Sequence, residues 1–290
     1  MENRFNILTI GDIHGRTAWK EIIFGGSTEF YMWKNAVIEE YLEHEEPYRF
    51  NEYDKIIFVG DYCDSFDVDN TTILENLEDI VLFAKTYPDL VVLLLGNHDI
   101  QYIVSNECCS GYRAEMRSDL NRIFNDNKSL FKIAFLDEFE TEYKGKTRTI
   151  KTLWTHAGVT KGWHTQLLRD VNSPSYRHSD FFIGSESWKI DKLLNVAWDL
   201  RVDNLYNVDD ASGGMDLWAG PLWVRPHILN DFNLPGYDQV VGHTPQSEVY
   251  HYFNPPMETE SNLLLIDELV YVDALAHGDF YKLTRIKENI

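Results

Sequence analysis

Five times along this chain a short apolar run ends in a small polar cluster carrying an acid, an amide or an imidazole. "FNILTIGDIHG" (5–15), "DKIIFVGDYCD" (54–64) and "VVLLLGNHDI" (91–100) each pass from apolar residues through a glycine to such side chains. "LWTHAG" and "VVGHTP" do the same with one histidine apiece. The runs over 5–10, 55–59, 91–95, 149–154 and 239–241 are near-continuous rather than alternating, which fits strands buried on both faces. In open α/β sheets, ligands bind beyond the carboxyl ends of the strands. Five strands would then deliver their polar residues to one edge.

Helical spacing separates the second and third runs. Ile73, Leu77, Ile80, Val81 and Ala84 share a face, Asn70 or Thr71 is placed to cap the start, and Pro88 follows the end, giving a β-α-β unit. "EFYMWKNAVIEEYLEHEE" reads as another helix, with Phe30, Trp33, Val37 and Tyr41 on one face. "NLLLIDELVYVDALAHGDFYKLTRI" reads as successive hairpin strands turning at Asp267-Glu268 and Gly278-Asp279. The polar stretches of about 105–146 and 174–207 are mostly helical in pattern and read as insertions over a core. With no proline- or serine-rich linker and no internal repeat, residues 1–290 read as one α/β domain, helices outside and sheets inside.

The chain carries 26 Lys and Arg against 47 Asp and Glu, a formal charge of −21. Such a field repels nucleic acid and anionic membrane, so an anionic substrate needs a local source of positive charge. The cysteines, Cys63, Cys108 and Cys109, are odd in number with two adjacent. That is a poor disulfide framework and points to a reducing compartment. No secretory leader pattern opens the chain and no apolar run approaches membrane-spanning length, so a cytoplasmic location is expected.

The strand-end residues are chemically coherent. Asp12 and His14 follow the first run, Asp61 and Asp64 the second, Asn97, His98 and Asp99 the third, His156 the fourth and His243 the fifth. Imidazole and carboxylate together suit Mn, Fe or Zn. Two acids, three histidines and an amide oxygen exceed one tetrahedral ion and suit two ions sharing a ligand, for which Asp61 has an oxygen each. Two metals about 3.5–4 Å apart clamp an in-line displacement at phosphorus and lower the pKa of a water. Metal would thus supply the missing positive charge. Gly11, Gly60, Gly96 and Gly242 let the backbone turn and approach closely. Each motif alone has a plain structural explanation, a capped turn or a structural histidine; the five in order do not. His44, His164, His178, His227, His251 and His277 lack this context and read as structural.

"GDIHG", "GDYCD", "GNHD", "THAG" and "GHTP", in this order, resemble the calcineurin-like metallophosphoesterases, and within them the phosphoprotein phosphatases and symmetrical diadenosine tetraphosphate hydrolases. "GPLWVRPHI" resembles that branch's Leu-Trp-x-Arg segment, and "YVDALAHGDFYKLTRI" its closing hairpin. The resemblance implies a four-layer α/β/β/α sandwich with helical insertions. It implies two divalent metal ions, Mn²⁺ first and Fe or Zn next, one held by Asp12, His14 and Asp61, the other by Asp61, Asn97, His156 and His243. His98 would protonate the leaving oxygen, Asp64 would orient its imidazole, and Asn97 and Arg225 would contact the substrate phosphate. Asp99 is expected to cap or brace its turn.

The implied activity is hydrolysis of phosphate monoesters in the manner of serine/threonine protein phosphatases, on a phosphorylated protein, small molecule or nucleotide. A phosphodiesterase or nucleotide pyrophosphohydrolase is the alternative, and an inactive binding module is a third reading that the intact ligand set argues against. Ser65 and Phe66 stand where the branch has Arg-Gly, and Leu95 where many bacterial and viral members have arginine. Arg113, Arg117 and Arg201 are candidate replacements. Trp163 and Trp188 are candidates to stack a base.

Overall fold

Burial alternates along the strands and builds the layers. In Asn3–Ile10 (β1), Ile7 joins one buried cluster and Leu8 another; Ile57 and Ile56 of Lys55–Phe58 (β2), and Val92 and Leu93 of Val91–Leu94 (β3), divide the same way. Both faces are buried, hence the unbroken apolar runs. The computed structural model describes residues 3–39, 48–104, 109–143, 146–173, 187–206, 213–254, 257–258, 264–265 and 267–287.

The remaining strands are Phe131–Lys132 (β4), Ala134–Tyr143 (β5), Lys146–Thr155 (β6), Asp238–Val241 (β7), Tyr250–Phe253 (β8), Met257–Glu258 (β9), Leu264–Leu265 (β10), Glu268–Tyr271 (β11) and Tyr281–Lys287 (β12). One sheet has the order β12-β1-β2-β3-β4, with β1 to β4 parallel and β12 antiparallel on β1. The other has the order β5-β6-β7-β11-β8, with β6, β7 and β11 parallel between antiparallel edge strands. Their inner faces meet through Ile7, Ile57, Val59, Val92 and Leu94 on one side and Trp154, Val240, Val270 and Val272 on the other. The Trp154 indole N–H donates across this interface to Thr9 Oγ1 at 3.0 Å, both residues fully buried.

Helices cover the outer faces. On the first sheet lie Ala18–Phe24 (α1), Ser27–Ile38 (α2), Asn70–Thr86 (α3), Asn97–Ile103 (α4) and Arg117–Asp126 (α5), which bury Trp19, Phe30, Leu77, Ile100 and Leu120 in the cluster that holds Leu8, Ile56 and Leu93. The second sheet is covered by Lys161–Val171 (α6), Ile190–Asp199 (α7) and Pro226–Phe232 (α8), with Leu229 of α8 against Val241, Leu269 and Tyr271. Asn195 of α7 bonds the backbone at Ile133 and Ala134, where the chain passes from one sheet to the other. The architecture is the expected α/β/β/α sandwich.

Local readings differ in four places. Asp69, not Asn70 or Thr71, caps α3, accepting from Thr72 N at 3.0 Å and Thr72 Oγ1 at 2.7 Å; a carboxylate with two donors is the stronger cap. Helix α2 ends at Ile38, and Tyr41 lies outside the described residues. Among the described residues, the stretch 105–146 is helical at α5 and in two flanking 3-10 turns, and then β4 and β5 follow, β5 being a half-exposed edge strand whose acids give it a polar look. Among the described residues, β10, β11 and β12 do not pair with one another. Strand β10 pairs with β9, β11 with β7 and β8, and β12 with β1 in the other sheet. Leu269 and Val270 of β11 are buried on opposite faces, so that strand needs neighbours at both edges.

Thr9→Val should cost about 1–3 kcal/mol by stranding the buried indole N–H. Adding Trp154→Phe to that variant should recover part of the loss, so urea unfolding of the double variant should show less destabilisation than the sum of the single changes.

Candidate metal centre and active site

Parallel pairing puts the carboxyl ends of β1, β2 and β3 at one edge of the first sheet, and those of β6 and β7 at one edge of the second. The loops beyond them are bonded together. His14 N donates to Asp61 O at 2.7 Å, Gly242 N to His156 O at 2.7 Å, and His243 N to the Asp12 carboxylate at 2.9 Å, which ties one sheet to the other. Gly96 and Gly242 are needed for room: a Cβ there would lie 2.1 Å from Asp61 Oδ1 and 2.0 Å from Asp12 Oδ1. Five non-glycine residues among those described have positive φ, and four of them are His14, Asp61, Asp64 and His243. Strained backbone gathered at one place marks a site whose geometry the fold over-determines.

The hydrogen bonds assign the histidine tautomers. His156 Nδ1 lies 2.9 Å from Val59 O, which only accepts, so Nδ1 carries the proton and Nε2 presents a lone pair. That lone pair faces Asn97 Oδ1 at 2.9 Å and Asp61 Oδ2 at 3.4 Å. His14 Nδ1 lies 3.1 and 2.8 Å from the carbonyls of Cys63 and Asp64, so its Nε2 lone pair faces Asp61 Oδ2 at 3.7 Å. His243 brings Nδ1 to 3.0 Å from Asn97 Oδ1, and its buried Nε2 has no partner among the described residues. Burial, first of all, lowers the pKa values of His156 and His243 and keeps both rings neutral. At His14 and His156 a lone pair therefore faces a carboxylate or amide oxygen, an arrangement that fits a cation. The groups Asp12–His14–Asp61 and Asp61–His156–His243 each place their ligand atoms within 4.8 Å of one another.

The acids are compensated in different ways. Burial, then Asp273 and Asp61, raise Asp12 well above the usual carboxyl range. Asp273, beside Asp12, is raised to about 6, chiefly by burial. Asp99, fully buried, accepts from the backbone N–H groups of Gly96, Asp61, Tyr62 and Cys63, bracing the turn as expected. Burial and the Asp61 charge still push it up to about 8.

His98 Nδ1 lies 2.9 Å from Asp64 Oδ2, and its backbone N–H donates to Asp61 Oδ1 at 3.0 Å. Gln101 Nε2 and the Tyr102 hydroxyl also donate to Asp64, so its carboxylate is fixed from three sides. Burial opposes charge on His98, but the Asp61 charge and the bond and charge of Asp64 raise its pKa to about 9.

A pocket of about 650 Å³ opens over these residues, lined by His14, Asp61, Asn97, His98, Arg225 and His243 among others. Arg225 donates from Nε to Gly213 O at 3.0 Å and from Nη1 to His243 O and Thr244 Oγ1 at 3.3 and 3.2 Å. All nine expected site residues thus meet here, Asp12 and His156 in the buried floor.

The expected replacements for the missing arginines do not come together. Arg113 is committed to Asn70, Ser65 O and Val68 O, Arg201 lies 3.8 Å over the Trp198 ring, and neither they nor Arg117 line the pocket. Trp163 is core, donating to Asn204 O, and Trp188 lies under Lys192; neither reaches the pocket. Sequence reasoning missed Gln101, Tyr102, Asp273 and Arg16. Gln101 and Tyr102 follow His98 at helical spacing, the one signal that would have placed them on its side.

The sequence matches the family profile of calcineurin-like phosphoesterases over residues 5–279. No curated protein is significantly similar in sequence. Among solved structures, the chain is similar to a cold-active protein-tyrosine phosphatase of a psychrophilic Shewanella species at 14% identity and a TM-score of 0.45, over 97% of this chain and 75% of that one. It is also similar to a protein serine/threonine phosphatase of Saccharomyces cerevisiae at 14% identity and a TM-score of 0.36, over 92% and 66%. No helix of the described residues is long and apolar enough to cross a membrane. The family depends on dinuclear metal centres, and this site has Asp and His groups able to bind metal. With that match spanning nearly its whole length, the chain belongs to the calcineurin-like phosphoesterases and is a hydrolase of phosphate esters.

Proposed function

We propose that the protein is a single-domain, cytoplasmic phosphomonoesterase of the serine/threonine protein phosphatase kind. Asp12, His14 and Asp61 would hold one divalent ion and Asp61, Asn97, His156 and His243 a second, Mn²⁺ first among the candidates. The observation that carries this reading is that the Nε2 lone pairs of His14 and His156 both face Asp61 Oδ2, and that of His156 also faces Asn97 Oδ1. Bound there, the ions supply an activated water and positive charge for the phosphoryl oxygens.

The chain's own residues supply the rest. Nε and Nη1 of Arg225 are pinned to the pocket wall, which leaves Nη2 to donate to a phosphate oxygen. His98 gives Nδ1–H to Asp64, whose bond and charge favour the protonated ring, so Nε2–H is the proton available to a leaving oxygen. Gln101 and Tyr102 keep Asp64 from turning away. A cation on Asp61 would cancel that carboxylate's share of the rise in His98 pKa and leave the share of Asp64.

One observation favours the diester or nucleotide alternative. Phe66, at the pocket mouth, is 86% exposed and offers a free aromatic face to a base. Turnover of a nitrophenyl monoester, its bis-ester and a dinucleoside polyphosphate, each with Mn²⁺, decides between them. The monoester is expected to be fastest; a faster bis-ester or dinucleotide selects the alternative.

His98→Asn should lower kcat by about 10²–10⁴-fold with both metals retained. The loss should shrink for nitrophenyl phosphate, whose leaving group needs little protonation, relative to an alkyl phosphate. His98 acts in its protonated form, so activity falls as pH rises through its pKa. Asp64→Asn removes a carboxylate that raises that pKa and should move the alkaline limb of the kcat/KM–pH profile to lower pH; an unmoved limb rejects the acid assignment. Asp61→Asn should reduce metal content from two ions to at most one with the circular dichroism spectrum unchanged, and two retained ions would refute a shared ligand.

A further inference from the structure

Among the described residues, two arginines line the pocket over the centre, Arg225 and Arg16, against four acids, Asp61, Asp64, Asp67 and Asp273. We infer that Arg16 is a second phosphate-gripping residue, held by Asp67 until a phosphate displaces that carboxylate. The inference rests on the phosphoesterase reading above and names what favours a monoester at that site.

The backbone of Arg16 is anchored. Its N–H donates to Ile13 O at 2.8 Å, and its carbonyl accepts from Asn76 Nδ2 at 3.1 Å. Asn76 is itself buried, with Oδ1 taken by the Trp19 indole at 2.9 Å. The residue is thus fixed two positions after His14, while its side chain stays 28% exposed. The guanidinium meets Asp67 Oδ1 at 3.4 Å, and the Asp67 side chain is 68% exposed. A long contact between exposed groups is weak and easily exchanged. Asp67 Oδ1 also accepts from Ser65 Oγ at 2.7 Å, so that carboxylate keeps a donor when Arg16 leaves it. Arg113 has no such freedom, its guanidinium being spent on three acceptors.

Arg16 comes from the loop after β1 and Arg225 from the loop entering α8, so the two approach from different sheets. A guanidinium fork grips two phosphate oxygens, and a monoester dianion offers it more charge than a diester monoanion. Arg16 therefore contributes to monoester preference as well as to binding.

The test uses the Mn²⁺-loaded protein, inorganic phosphate as competitive inhibitor, and the nitrophenyl monoester and bis-ester as substrates. Arg16→Ala should raise the phosphate inhibition constant and the monoester KM by about tenfold or more, the bis-ester KM by less, with metal content unchanged. Arg16→Lys should fall between. Asp67→Asn should tighten phosphate binding when Arg16 is present and not in the Arg16→Ala background. A phosphate constant within twofold of the parent in Arg16→Ala overturns the inference. So does equal tightening by Asp67→Asn in both backgrounds, since the acid would then only repel anions. A parent enzyme that cleaves the bis-ester and not the monoester removes the monoesterase reading instead, and a phosphate constant that depends on Arg16 distinguishes that failure from this one.

Discussion

Asp12, Asp61 and Asp99 lie at 2%, 2% and 0% exposure just beyond strand ends, and burying so much negative charge is costly unless each group is paired. The three solutions hold this end of the sandwich together. Asp99 gathers four backbone N–H groups from the loops after β2 and β3. Asp12 takes His243 N from the opposite sheet. Asp61 takes the His98 N–H, and its remaining oxygen faces imidazole lone pairs. The loops are thus fastened to one another by the acids that a metal centre needs.

The electrostatics around Asp61 make the case for cations sharper. Burial opposes its charge, while His156, His98, His14 and His243 would draw its pKa down if charged. Yet His156 and His243 are themselves neutral through burial, so they cannot supply that charge at neutral pH. They offer lone pairs instead. A divalent ion would satisfy those lone pairs and leave His98, outside the ligand cluster, as the ring held by Asp64. In a chain of net charge −21, two arginines are the Lys or Arg residues among the described pocket lining, and bound cations would add the rest of the positive charge an anionic substrate needs.

The same local physics explains where sequence-level inference stops. Motifs at strand ends were legible because strand period, glycine and polar residue recur in order, and every such strand lies within a parallel set. Strand partners were not: β11 and β12 look like neighbours in sequence, but β11 is buried on both faces inside one sheet while β12 is a half-exposed edge strand of the other. In one dimension Arg113 stood out as a candidate cation and Arg16 did not. Only packing committed the first to Asn70 and the carbonyls of Ser65 and Val68, and left the second with a single long ion pair.

The sequence by itself determined the family, the five strand-end clusters and the residue types at the centre, since these depend on periodicity and side-chain chemistry that a single chain displays. Folding in three dimensions was needed to fix which nitrogen of His14 and His156 bears the proton, which acid serves as brace and which backbone N–H meets Asp12. Those outcomes depend on carbonyls and N–H groups brought from as far as position 59 to 156 and from 12 to 243, contacts that exist only once the two sheets have closed on each other.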